Sequence, residues 1–122
     1  MTHRIFNIAA IKQKLKENGY VVVKDVLSPQ EVEEAKQKFY EWKNSVEDMD
    51  KIHSRIDPHG IFKHHEAGHQ EHAWLIRKNP NVIKIFKHIW ETDELSVSFD
   101  GSCHIPKDCK KKDNIWTHTD QA

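Results

Sequence analysis

The chain has 122 residues, enough for one domain or part of one. Lysine plus arginine equals aspartate plus glutamate at 19 each, so no net field draws nucleic acid, and no apolar run approaches the length needed to cross a bilayer. Hydrophobic residues supply 37% and charged residues 31%, a polar balance that predicts a thin core. Residues 1–6 lack the apolar run of a signal peptide, so a cytoplasmic location is the expectation. Cys103 and Cys109 do not have zinc-ribbon spacing and read as reduced thiols, and the basic run at 107–113 reads as a solvated loop.

In chain order, Asn7 can cap a helix running to about Asn18, with Ile8, Ile11 and Leu15 on one face and Gly19 as its left-handed exit. Tyr20, Val21, Val22 and Val23 form an aromatic and β-branched run that predicts a strand buried on both faces. Ser28, Pro29 and Glu31 mark a helix start: serine caps, proline takes the first helical position, and the glutamate completes a capping box. From there Val32, Ala35, Phe39, Trp42, Val46 and Met49 recur at steps of three and four, one stripe of a long helix that backs a sheet. Residues 51–72 lose this periodicity at Asp57, Pro58, Gly60 and Gly68 and read mostly as an irregular loop. Asn79 and Pro80 open another helix to about Trp90, with Val82, Ile85, Phe86 and Ile89 on one face. Leu95, Val97 and Phe99 alternate with Ser96 and Ser98, the pattern of a strand with one buried face, and Asp100-Gly101 ends it as a turn. Residues 115–119 form a last extended segment.

Six histidines fall between residues 53 and 72: His53, His59, His64, His65, His69 and His72. If residues 66–74 were helical, His65, His69 and His72 would share a face at steps of four and three, a spacing able to chelate a divalent ion. Gly68 weakens that helix, and histidines also populate polar loops because they are soluble. The loop therefore has a metal-binding reading and a solvated reading.

The chain ends Trp116-Thr117-His118-Thr119-Asp120-Gln121-Ala122. On an extended backbone, residues two apart point the same way, so His118 and Asp120 can converge on one metal ion. Two histidines and one carboxylate make the facial triad of non-haem Fe(II) oxygenases, and His-x-Asp supplies two of the three. With the segments Leu15 to Val23, Val26 to Val32, Leu95 to Gly101 and Trp116 to Gln121 in that order, the chain resembles the N-terminal part of the phytanoyl-CoA dioxygenase family of Fe(II)/2-oxoglutarate-dependent oxygenases. The resemblance implies His118 and Asp120 as iron ligands, and a distal histidine and a basic residue for the 2-oxoglutarate carboxylate beyond residue 122. Gln121, close to the ligands, can orient a ligand or the co-substrate by a hydrogen bond. Trp116 reads as a barrel-core aromatic, with stacking on substrate as its functional alternative. A loop in the position of 51–72 commonly borders the active site in the family, so a histidine there or Lys63 can touch substrate.

The expected fold is α+β: a helix-rich region at 1–94 containing the histidine-rich loop, then at 95–122 the first core strands of a double-stranded β-helix, or jelly roll, with the metal-ligand motif. Such a barrel needs about eight strands, so the fold is expected to be incomplete and the chain alone to lack turnover. Fe(II) and 2-oxoglutarate are the implied cofactors and a small molecule the implied substrate. Neither nucleic acid nor membrane is expected as a partner, while exposed strand edges predict self-association. The alternative is a non-catalytic helical module whose histidine-rich loop binds metal or protein. A third reading is a truncated product without independent function.

Overall fold

The computed structural model describes residues 4–47, 61, 62, 65–98, 100–105, 107 and 118. Among the described residues lie four α-helices: α1 (Ile8–Asn18), α2 (Pro29–Ser45), α3 (Glu71–Arg77) and α4 (Pro80–Trp90). A two-stranded antiparallel sheet joins β1 (Ile61–Phe62) to β2 (Ser102–Cys103), pairing Ile61 with Cys103 and Phe62 with Ser102.

The helix ends form where local chemistry places them. The Asn7 side chain accepts from the Ala10 N–H at 3.1 Å, and Gly19 at φ 76° closes α1 through its N–H to the Leu15 carbonyl at 2.9 Å. At α2 the capping box is complete: Ser28 Oγ accepts from the Glu31 N–H at 3.2 Å, and the Ser28 N–H donates to the Glu31 carboxylate at 2.7 Å. That backbone donor holds the Glu31 carboxyl below its usual range. Asn79 Oδ1 caps α4 through the Asn81 N–H at 2.9 Å, with Pro80 in the first position.

Asn79 and Asn81 are also buried, which obliges their remaining polar atoms to find partners. Asn79 Nδ2 donates to Glu31 at 3.0 Å, joining the start of α4 to the start of α2, and Asn81 Nδ2 donates to the Val26 carbonyl at 3.0 Å. Lys38 of α2 bridges Glu41 of its own helix and Glu71 of α3, both at 3.3 Å, and Lys12 of α1 pairs with Glu91 beyond α4.

The core sits where α2 meets α3 and the turn before it. Trp42 and the fully enclosed Ala67 form its centre, with Phe39 and Val46 packed against them. The stripe on α2 is therefore real but shorter than its sequence pattern: the helix stops at Ser45, Val46 is the capping residue, Val32 is half exposed, and Met49 lies outside the described residues. Ile11 and Ile85 are the buried apolar residues of α1 and α4.

Three expectations fail. Residues 20–23 form no strand; Tyr20 and Val22 are 69% and 75% exposed while Val21 and Val23 are partly covered. Residues 95–98 are likewise outside any strand, with Leu95 and Val97 exposed, and Phe99 lies outside the described residues. A β-forming run becomes a strand only with a lateral partner for its N–H and C=O groups, and neither run has one among the described residues. The third is α3, a helix within and beyond what the sequence pattern assigns to loop.

Candidate metal centre and the buried histidine

His118 is exposed and outside regular secondary structure, while Trp116, Asp120 and Gln121 lie outside the described residues. Among the described residues no group of three or more His, Cys, Asp and Glu side chains is placed to hold a metal ion. Of the loop histidines, His53, His59 and His64 lie outside the described residues, as does Lys63.

The shared face expected of His65, His69 and His72 does not form. His65 and Glu66 take left-handed backbone at φ 52° and 57°, Ala67–His69 make one 3-10 turn, and Gln70, extended at φ −70° and ψ 152°, restarts the chain as the cap of α3. His72 is thereby buried, whereas His65 and His69 are exposed. Two contacts explain the break. The indole N–H of Trp42 donates to the His65 carbonyl at 3.1 Å, and Gly68 lies so close to Asp100 that a Cβ would sit 2.3 Å from its carbonyl oxygen. The turn is shaped for packing instead of chelation.

Arg77, at the end of α3, fastens this turn to the approach of β2. Its guanidinium donates to the Gly68 carbonyl at 2.6 Å and to the Asp100 carboxylate at 3.2 Å, and lies 5.2 Å from the Trp74 ring centroid. Asp100 Oδ1 accepts from the Gly101 N–H at 2.8 Å, so Asp100 has a structural role although residues 100–101 do not form the expected turn.

His72 fills an aromatic box between α2 and β2. Its ring stands edge-on to Phe39 at 5.2 Å and tilts against Trp42 at 5.6 Å, and His104 also approaches Phe39, at 6.2 Å. Nε2 is 2.9 Å from Ser102 Oγ, while Nδ1 is buried with no hydrogen-bond partner. Burial, and then the Arg77 charge, push the His72 pKa below its usual value, so the ring is neutral at pH 7. Sequence reasoning missed both the His72–Ser102 pair and the Arg77 clamp, because their partners lie 30 and 23 residues away with no local pattern linking them.

The profile of the family described as phytanoyl-CoA dioxygenase matches residues 15–122, which include the His118-x-Asp120 motif and the whole of α2, α3 and α4. The chain belongs to the phytanoyl-CoA dioxygenase family. A relative in that family, the Ava biosynthesis cluster protein O of Aspergillus versicolor, is 28% identical over 112 residues, covering 84% of this chain and 36% of its own length. The chain thus spans about a third of the curated relative it matches. No solved structure matches it. The family implies a jelly-roll fold and an oxygenase of the Fe(II)/2-oxoglutarate type, and the helix-rich part described here with its short sheet is consistent with a portion of such a fold.

Proposed function

We propose that this chain supplies the helical layer and the first two iron ligands of an Fe(II)/2-oxoglutarate-dependent oxygenase with a jelly-roll core. The observation that carries the reading is the presence of His118-x-Asp120 inside the family match at 15–122. The donor set suits the metal: a borderline imidazole and a hard carboxylate are two members of the facial set that Fe(II) oxygenases use. His118 is exposed, which suits this role. Bound iron with 2-oxoglutarate would supply the oxidising chemistry, insertion of oxygen into an unactivated carbon. The chain's own residues bind and arrange: His118 and Asp120 hold the metal, Gln121 orients a ligand or the co-substrate, and Trp116 walls the substrate side.

A triad needs one histidine more than this pair provides, and the whole protein's activity is part of the proposal because the chain spans about a third of its relative. The test is anaerobic Fe(II) titration of the chain, with and without 2-oxoglutarate, followed in the visible range and by calorimetry. Two protein ligands should bind more weakly than a full triad, and His118→Ala and Asp120→Ala should each abolish the binding. Binding that survives both substitutions, or that is lost only when His65, His69 and His72 are replaced, would overturn the assignment.

A further inference from the structure

The oxygenase reading leaves His72 unused, yet it is the described residue whose buried polar atom lacks a partner. It is 7% exposed, and Ser102 beside it is 9% exposed. A neutral imidazole tolerates this setting. Ser102 can accept from Nε2–H or donate to Nε2, and Nδ1 then either presents a lone pair or keeps its N–H. The imidazolium does not, because it carries an N–H on both nitrogens and Nδ1–H would be a charged donor facing no acceptor. Taking up a proton therefore requires the ring to reach water.

What moves with the ring is set by the sheet. Among the described residues β1 and β2 share a two-residue ladder, too little to be stable alone, so β2 depends on its contacts with the helices. These include His72 to Ser102, within β2 itself, Phe39 to His104, just after it, and Arg77 to Asp100, just before it. We propose that His72 is a proton-operated latch between the helical layer and the short sheet: neutral, it holds β2 against α2 and α3; protonated, it leaves the aromatic box and releases β2. The Arg77 clamp keeps residue 100 in place, so the opening is confined to the stretch that follows.

The charges around the latch favour this sense. Arg77 on its own helix repels a cation at His72, although Asp100 offsets part of that charge. On α2 Lys38 pairs with Glu41 and also with Glu71 of α3, so the lysine is already shared between those two carboxylates. From the side of β2 His104 faces Phe39, and the turn before α3 carries His65, Glu66 and His69 at the exposed surface. None of these carboxylates bonds to the ring in its buried position.

The latch does not depend on iron and is tested in the metal-free 122-residue chain by NMR between pH 8 and 5. His72 ring signals and the Ser102 and Cys103 amides should titrate together. The open population of β2, read from Cys103 amide exchange corrected for its intrinsic rate, should rise about tenfold per pH unit below roughly 6.5, the signature of one proton taken up on opening. In His72→Gln, which keeps an amide donor and cannot be protonated, the β2 amides should show no transition. Amides of β2 that stay unchanged down to pH 5 in the wild type would overturn the proposal, as would the same transition in His72→Gln. If that variant does not fold, the wild type decides alone, since a His72 titration separate from that of Ser102 and Cys103 rules the latch out.

Discussion

Single residues set the ends of the helices and the closest approach in the fold. Ser28 satisfies a first-turn N–H of α2 and receives the Glu31 carboxylate in return, so Ser28→Ala should destabilise the chain by about 1 kcal/mol. Urea unfolding would show this as a lower midpoint at unchanged slope; an unchanged midpoint would mean that water replaces the cap at no cost. Gly68 is needed for space and not for backbone freedom, since its φ is ordinary and a Cβ added there would meet the backbone oxygen of Asp100 at 2.3 Å. Gly68→Ala should therefore cost roughly 1–3 kcal/mol, as overpacking does. Loss of the same size in Gly68→Ala made together with Arg77→Ala would show that the two act through one contact. Caps were legible from the sequence because their partners lie two to four residues away. The Gly68–Asp100 approach was not, because it joins residues 32 positions apart.

Between elements, the contact of α2 with α3 and β2 is the one that should respond to pH. The folded pKa of His72 is held below its ordinary value by burial and by Arg77, so on acidification the unfolded chain takes the proton first. Stability from this site is then complete above about pH 6.5 and declines as pH falls below it toward the lowered folded value. The midpoint of thermal unfolding should drop more between about pH 7 and 5.5 in the wild type than in His72→Gln. Equal drops would place the acid sensitivity elsewhere. The α2 stripe was readable because helical periodicity needs no partner to be recognised. The runs at 20–23 and 95–98 carried equally clear strand patterns and failed as strands, because a strand is completed by another segment and not by its own residues.

At the scale of the molecule, several large apolar side chains face solvent: Tyr20 at 69%, Val22 at 75%, Trp90 at 67%, Val97 at 55% and Phe86 at 51%. Phe86 and Trp90 lie one turn apart on α4, on a different side from the buried Asn81 and Ile85, so that helix has apolar residues on two sides. Contiguous exposed apolar surface drives association. Sedimentation velocity should show an average mass that grows with concentration, and Trp90→Glu should reduce it; a monomer at every accessible concentration would show that these residues stand singly. No helix among the described residues is long and apolar enough to cross a membrane.

The sequence by itself determined the family, the capped starts of α1, α2 and α4, and the tripeptide His118-x-Asp120 on which the proposed chemistry rests. The caps and the tripeptide are written in residues close together along the chain, where spacing alone carries the physical signal, and the family in short segments taken in order. Only the tertiary structure decided that the three loop histidines part company, that His72 is buried against Ser102, and that Arg77 ties Gly68 to Asp100. Burial and hydrogen-bond partners across 23 to 30 residues depend on how separate elements meet, and no periodicity records that.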